Sequence, residues 1–207
     1  MGCSLITILL VRHSQTEWNR IERFRGRIDL ELNSTGLVQA QKTAAKINQF
    51  WKPDAVYSSP LKRAFQTASI IAEATQNQVH TSQELIDIDY GEWHGLSPEE
   101  VRLRWHEQLD TWYQHPDQAI IPGGENLKQV QTRAMDFIHS VLTTESNLTL
   151  LLVSHTVVNR LILLGTLGLG IDHFWRLRQE PCAINIIEVN DSQFTLVGMN
   201  DTCHIIN

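Results

Sequence analysis

Cysteine is scarce in this sequence, and basic residues are outnumbered by acidic ones. The 207 residues include three cysteines and no Cys-x-x-Cys pair, which argues against a disulfide framework or a zinc ribbon. Lys and Arg number 17 against 23 Asp and Glu, so the broad basic face that nucleic-acid binding requires is not expected. No apolar run reaches the roughly 18 residues that span a bilayer. These absences predict a cytoplasmic protein without nucleic-acid or membrane partners.

Several motifs of nucleotide and metal chemistry are also missing. The sequence has no Walker-type GxxxxGK[ST] loop and no GxGxxG, and neither HExxH nor GxSxG occurs. Its nine histidines do not pair at metal-ligand spacing. Nucleotide-binding domains, metalloproteases and α/β-hydrolases therefore lose support, and neither a metal site nor a cofactor is predicted.

Apolar runs that alternate with helix-period segments indicate an α/β fold. The runs at 5–11 and 148–154 are continuous, which is typical of strands covered on both faces. Five helices are predicted: one over 34–50, one from an N-cap at Ser59 to about 74, one that begins at the capping box of Ser97, one that follows the 122–124 loop and ends at about 141, and one over 157–167. The segment 183–199 is predicted to form a β-hairpin. We expect a three-layer α/β/α fold with a mostly parallel central sheet, an antiparallel edge strand and a small helical lid. The whole chain, 1–207, forms one domain in this interpretation, with 96–121 as the lid insertion.

Both of the strongest apolar runs end at a histidine. The first leads into Arg12 and His13, and the second leads into His155. Because ligands of an open α/β sheet bind beyond the carboxyl ends of its strands, the two histidines can be neighbours. Arg63 lies in the first turn of the helix predicted after Ser59, where the helix dipole disfavours a cation unless an anion is held there. Together these residues predict a positive pocket of the size of a phosphoryl group.

Six segments carry a family resemblance. They are RHSQTEWN at 12–19, RFRG at 23–26, YSSPLKRAFQTA at 57–68, GEWHG at 91–95, PGGE at 122–125 and VSH at 153–155. In this order they resemble the motifs of the histidine phosphatase superfamily, in its phosphoglycerate-mutase-like branch. The resemblance covers the chain from the first predicted strand to the second histidine.

The resemblance implies a metal-independent phosphomonoester hydrolase that acts through a phosphohistidine intermediate on a small phosphorylated metabolite. His13 would be the nucleophile. The phosphoryl oxygens would be held by Arg12, Arg63 and His155, since fixed cationic donors suit a transferring group whose charge is spread over three oxygens. The family places a glutamate as proton donor four residues before its G-x-W-x-G motif, where this chain has Asp87.

Three further residues are candidate substrate contacts. The resemblance implies that Asn19 is another donor to the phosphate and that Glu125 belongs to a loop on the substrate side. Arg25 stands where many relatives carry a smaller or neutral group, so it would favour a substrate with a second negative charge, such as a carboxylate.

The chain departs from the family at Ser14 and Thr156, which replace glycines. Their hydroxyls would either restrict the site or add donors to the phosphate.

Other interpretations of the same residues stay open. A cofactor-dependent phosphoglycerate mutase shares this site, but its longer lid carries adjacent arginines, whereas Arg102 and Arg104 are not adjacent. A catalytically weak phosphate-binding homologue would result if Asp87 could not deliver its proton, with Asp89 and Glu92 as alternative donors. The two aspartates also half-match the DxDx[TV] motif of magnesium-dependent phosphatases. The sequence leaves the oligomeric state open, with a homodimer among the alternatives.

Overall fold

A six-stranded sheet forms the centre of the fold, in a computed structural model that describes residues 5–19, 21–142 and 147–205. Its strands are β1 (Leu5–Arg12), β2 (Ala55–Ser58), β3 (Val79–Thr81), β4 (Thr149–Ser154), β5 (Ile184–Asn190) and β6 (Gln193–Asp201), in the order β3-β2-β4-β1-β5-β6. The first four strands run parallel, whereas β5 is antiparallel to β1 and β6 is antiparallel to β5. The predicted sheet is confirmed, and the C-terminal hairpin adds two antiparallel strands at one edge.

Helices cover both faces of this sheet. They are α1 (Ser34–Phe50), α2 (Lys62–Thr75), α3 (Pro98–Gln114), α4 (Leu127–Leu142) and α5 (Thr156–Thr166), with short 3-10 helices at Glu17–Asn19, Gln83–Leu85, Gly91–Trp93, Pro116–Gln118 and Ile171–Arg176. Side chains alternate along a strand, so Leu9 and Val11 of β1 join the core under α1 and α2, while Ile8 and Leu10 join the core under α4 and α5. The three layers are confirmed.

The region predicted as a lid is mostly helical. Helix α3 begins after a capping box in which Ser97 and Glu100 bond each other's main chain, as the sequence predicts. The helix is kinked at Trp105, whose φ of −137° and ψ of 49° are not helical. Its buried residues, among them Leu109 and Trp112, attach it to the main core. That this segment acts as a lid stays a prediction.

Helix α2 begins two residues later than predicted. Leu61 occupies the N-cap position with an extended backbone and no side-chain bond, and the first helical residue is Lys62. The prediction of Ser59 as the N-cap was wrong, because its hydroxyl lies 2.7 Å from the Nε2 atom of His155. Within the described part of the chain, no helix combines the length and the apolar character needed to cross a bilayer.

Candidate active site

The carboxyl ends of two neighbouring strands bring the predicted histidines together. Strands β1 and β4 are parallel, with Arg12 opposite Ser154. The next residue of each chain segment is a histidine, and the ring centroids of His13 and His155 lie 5.2 Å apart. Both residues are buried, with exposed fractions of 2% and 0%. The candidate site is therefore built at the edge where parallel strands end.

Hydrogen bonding determines which ring nitrogen of His13 can attack. Its Nδ1 lies 2.7 Å from the carbonyl oxygen of Ser14, which can only accept, so Nδ1 carries the proton. Burial, followed by the charges of Arg63 and Arg12, lowers the pKa of His13 well below its usual value. The ring is therefore neutral at neutral pH, and its lone pair is on Nε2. This is the form that a nucleophilic histidine requires.

His155 is held by the residue that follows the neighbouring strand β2. Its Nε2 lies 2.7 Å from Ser59 Oγ, which also accepts a 3.3 Å hydrogen bond from the amide of Leu61. This arrangement leaves the Ser59 hydroxyl proton for Nε2 and favours a proton on Nδ1. Burial is the largest cause that lowers the pKa of His155, and Arg63 is the next. The neutral ring thus presents Nδ1 as an N–H donor, 3.6 Å from Asp87 Oδ2.

Arg63 is fully buried at the start of α2. Its terminal nitrogens donate to the carbonyls of Ile28 at 2.8 Å and Gly26 at 2.7 Å, and Nη2 also donates to Asp87 Oδ2 at 2.9 Å. The helix dipole disfavours a cation at this position. These three acceptors compensate for it and hold the guanidinium in one place.

Arg12 ends β1 and is anchored to a distant loop. Its Nη1 donates to the carbonyl oxygen of Gln179 at 2.6 Å. Burial, with the charge of Arg25 second, lowers the pKa of Arg12 to about 9. The guanidinium therefore stays protonated at neutral pH, next to the nucleophile.

Three buried nitrogens of these residues have no hydrogen-bond partner among the residues that the structure describes. They are Arg12 Nε, Arg63 Nε and His155 Nδ1. An unsatisfied buried donor costs about 1–3 kcal/mol, so these three donors are suited to acceptor oxygens of a ligand. A phosphoryl group carries three such oxygens. We refer to Arg12, His13, Arg63, Asp87 and His155 as the phosphoryl centre.

Asp87 supplies the one carboxylate of the phosphoryl centre. It follows the 3-10 helix at Gln83–Leu85 and is 9% exposed. Its Oδ1 accepts a bond from the amide of Ile88 at 3.0 Å, and its Oδ2 accepts from Arg63. An acidic group between the buried arginine and His155 can exchange a proton with a substrate oxygen held there.

Asp89 and Glu92, the two alternative proton donors, differ from Asp87 in their partners and exposure. Asp89 accepts a bond from the amide of Gly91 at 2.9 Å and pairs with Arg27 at 3.2 Å, and Glu92 is exposed. Over the described residues, no group of three or more His, Cys, Asp or Glu side chains is arranged to hold a metal ion. Of the three acidic candidates, the structure brings Asp87 to the buried arginine and histidine.

Asn19 and Arg25 lie together beside the phosphoryl centre. Asn19 Oδ1 accepts bonds from Arg25 Nη1 at 2.9 Å and from Thr16 Oγ1 at 2.9 Å. Both residues line a cavity of about 730 Å³ that also reaches Arg12. Their positions are compatible with the predicted contacts to substrate, which stay predictions.

Glu125 is engaged by other protein groups. Its carboxylate bonds Arg133 Nε at 3.0 Å and the amide of Asp89 at 3.0 Å, and it pairs with Arg27 at 3.2 Å. It therefore ties the PGGE loop to the segment that carries Asp89. A direct contact between Glu125 and substrate stays a prediction.

The two hydroxyl residues that replace family glycines differ in their surroundings. Ser14 Oγ lies 2.8 Å from Cys182 Sγ, and the Ser14 amide donates to Thr67 Oγ1 at 3.0 Å. The Ser14 hydroxyl is thus committed to the protein interior. Thr156 lines a second cavity next to the phosphoryl centre.

This second cavity, which we name the aromatic pocket, has a volume of about 420 Å³. Six aromatic side chains line it, and five arginines do so as well: Arg12, Arg23, Arg25, Arg160 and Arg178. Two of the rings, those of Trp112 and Tyr113, come from the predicted lid. The sequence motifs missed Arg160, although it is the only charged residue of α5, the helix that begins directly after His155.

Comparison with known proteins decides the family. The family model of the histidine phosphatase superfamily (branch 1) matches residues 8–202. The chain belongs to the histidine phosphatase superfamily. The chain is therefore a phosphoric monoester hydrolase, and the resemblance carried by the sequence motifs is confirmed.

Similar proteins of this superfamily include phosphoserine phosphatases. Phosphoserine phosphatase 1 of Hydrogenobacter thermophilus is 33% identical over 201 residues, which cover 97% of this chain and 95% of that protein. A metal-independent phosphoserine phosphatase of Arabidopsis thaliana is 30% identical over 207 residues, covering 96% and 82%. The structure of a phosphoserine phosphatase mutant from Entamoeba histolytica in complex with phosphoserine has a TM-score of 0.87 and 25% identity, and covers 97% of this chain and all of that one (100%).

Proposed function

We propose that this protein hydrolyses small phosphomonoesters without a metal ion, through a phosphorylated His13. One observation carries the proposal. The Nδ1 atom of His13 is bound to a carbonyl oxygen, which leaves the Nε2 lone pair beside three buried nitrogens that have no partner in the described structure. A nucleophile surrounded by unsatisfied N–H donors suits an anion that is attacked in line.

Two transfers of the same phosphoryl group make up the proposed reaction. The Nε2 lone pair of His13 forms a bond to phosphorus while the bond from phosphorus to the ester oxygen breaks, and Asp87 gives its proton to the leaving oxygen. The oxygen of water then forms a bond to phosphorus while the bond from phosphorus to His13 Nε2 breaks, and this water gives a proton to the Asp87 carboxylate. Phosphate leaves and both side chains are restored. Arg12, Arg63 and His155 hold the phosphoryl oxygens throughout.

O-phosphoserine is the first substrate to test. The similar proteins described above are named as phosphoserine phosphatases, and one structure of similar fold is of a complex with phosphoserine. The aromatic pocket next to Arg12 has room for a small substrate of this kind, at about 420 Å³. We therefore propose a small phosphorylated metabolite, with phosphoserine as its leading candidate.

The test is turnover in the presence of EDTA. Wild type and His13→Ala are assayed with p-nitrophenyl phosphate and O-phosphoserine between about pH 5 and 8, with phosphate release as the measurement. We expect activity that survives EDTA in the wild type and a loss of about 10⁴-fold or more in His13→Ala, since the nucleophile is removed. A control variant, His106→Ala, removes an exposed histidine on α3 and should retain activity.

Three results would contradict the proposal. Wild-type activity abolished by EDTA would indicate a metal-dependent reaction. Phosphate binding without any turnover would indicate the phosphate-binding homologue. Near wild-type activity in His13→Ala would remove His13 from the chemistry.

A further inference from the structure

One arginine of the aromatic pocket, Arg160, has no oxygen partner among the residues that the structure describes. The guanidinium carbon of Arg160 lies 5.0 Å from the ring centroid of Phe174 and 5.1 Å from that of Trp175. Its Nε is buried without a hydrogen-bond partner, and none of the ion pairs among the described residues involves this side chain. Burial lowers the pKa of Arg160, and the only other contribution comes from Tyr90. The guanidinium thus lies beside two adjacent rings, and the described residues provide no counter-ion for it.

The other arginines of the pocket each bond a protein oxygen. Arg12 donates to the Gln179 carbonyl, and Arg25 to Asn19 Oδ1. Arg23 pairs with a glutamate of α3, and Arg178 pairs with Glu180. Arg160 therefore differs from its four neighbours in the pocket within the described structure.

The position of Arg160 connects it to the reacting group. His155 is the N-cap of α5, and Thr156 and Arg160 lie four residues apart on the same face of that helix. Both line the aromatic pocket, and so does Arg12 of the phosphoryl centre. A substrate whose phosphoryl group lies at Arg12 can extend its remaining atoms along this wall to Arg160.

We propose that Arg160 binds the carboxylate of the substrate and selects phosphomonoesters that carry one. This inference rests on the proposed function. A planar guanidinium matches the two oxygens of a carboxylate, and the rings of Phe174 and Trp175 exclude water from it, which strengthens the interaction. Glu22 and Glu180 also line the pocket, so a single negative charge fits there better than a second phosphate dianion.

The experiment compares two substrates that differ by a carboxylate. O-phosphoserine and O-phosphoethanolamine share the phosphate, the ester carbon and the ammonium group, so the ratio of their kcat/KM values isolates recognition of the carboxylate. We expect the wild type to favour O-phosphoserine, and Arg160→Gln to reduce that ratio about 30-fold, because a hydrogen bond between charged groups is lost. Arg160→Lys keeps the charge without the planar fork and should restore part of the ratio.

Arg178→Gln is the matched control. It removes the same charge from the same pocket, but this arginine is exposed and already paired with Glu180, so the ratio should stay within about threefold of the wild-type value. Circular dichroism before the assay establishes that each variant is folded. If Arg160→Gln does not fold, Arg160→Lys serves as the test, with a fall of the ratio expected.

The outcomes separate this inference from the proposed function. A wild-type ratio near one, or an unchanged ratio in the Arg160 variants of an active enzyme, would overturn the inference and leave the hydrolase intact. A wild type inactive on both esters and on p-nitrophenyl phosphate would refute the proposed function instead. Calorimetric binding of the two esters then tests Arg160 directly: a preference for phosphoserine that Arg160→Gln loses supports the inference, and equal binding of both esters by wild type overturns it.

Discussion

The phosphoryl centre and the aromatic pocket share Arg12 but are held together in different ways. In the phosphoryl centre, buried side chains are fixed by main-chain carbonyls: those of Gly26 and Ile28 hold Arg63, and that of Ser14 holds His13. In the aromatic pocket, Arg178 pairs with a glutamate near the surface, and the contacts of the Arg160 guanidinium among the described residues are with the rings of Phe174 and Trp175. Under the proposed function, the chemistry depends on the rigid, main-chain-bonded centre, and substrate choice depends on pocket side chains that can change without disturbing it.

The largest expected effect comes from removing the buried cation of the centre. Arg63→Met leaves the Asp87 carboxylate without its buried partner and two carbonyls without donors. Removing one member of a buried ion pair costs about 3–5 kcal/mol. We expect the free energy of unfolding in urea to fall by this amount, with activity lost. Arg178→Met removes a pocket arginine whose side chain is 82% exposed, and it should change stability by less than about 0.5 kcal/mol. Equal losses would contradict the contrast between the two regions.

Asp87→Asn tests proton donation within the centre. General acid catalysis contributes about 10²–10⁴-fold, so kcat/KM for O-phosphoserine should fall by roughly 10³-fold. The effect on p-nitrophenyl phosphate should be far smaller, because its leaving phenolate needs no proton. Asp89→Asn, which alters the neighbouring carboxylate bound to Arg27, should change both substrates equally. A fall of the same size for both substrates in Asp87→Asn would remove it from proton donation.

Alanine substitution of two glycines distinguishes a steric clash from backbone strain as the cause of lost stability. Gly91 has a φ of +47°, and a Cβ there would lie 2.2 Å from the carbonyl oxygen of Pro122. Gly168 also has a positive φ, +66°, but nothing lies within 4 Å of its Cβ position. Thermal and urea unfolding should show a loss of about 1 kcal/mol for Gly168→Ala and about 3 kcal/mol for Gly91→Ala. Equal losses would mean that the 3-10 helix at Gly91–Trp93 shifts to make room for the added methyl group.

The smallest predicted effect is the response of stability to acid. The pKa values of His13 and His155 are lowered in the folded protein, so below the usual histidine value the unfolded chain binds more protons. Stability is therefore fully present above about pH 6.5 and falls as the pH is lowered through 5. Urea unfolding of His155→Gln should show a weaker dependence on pH than the wild type, and His106→Gln, an exposed change, should show the same dependence. A wild-type stability that rises on acidification would contradict the neutral buried rings.

Much of the phosphoryl centre could be predicted from the sequence because its signals are local. The strands β1 and β4 are long apolar runs, and each ends at the polar residues that form the site.

Strand β3 has only three residues, two of which are exposed, so it carries no periodic signal. Ser59 has the local pattern of a helix N-cap, but a contact with His155, 96 positions away, takes its hydroxyl. The Ser14 to Cys182 contact spans 168 positions and has no sequence signal.

The aromatic pocket could not be predicted in the same way. Arg25 was expected to face a second negative charge, and the structure places it at the pocket with Asn19 as its partner. Arg160 stands outside the family segments, and a lone arginine on a helix is usually a solvated residue. Only the three-dimensional contacts with Phe174 and Trp175 distinguish it from an ordinary surface charge.

The most direct test of the account is to trap the phosphorylated enzyme. Wild type and His13→Ala are mixed with labelled O-phosphoserine, quenched in alkali, which preserves phosphohistidine and destroys aspartyl phosphate, and digested for mass spectrometry. The account predicts label on the His13 Nε2 atom of the wild type and none on His13→Ala, whose active site still has Asp87. Label on another residue, or phosphate release by the wild type with no phosphohistidine at any time, would contradict it.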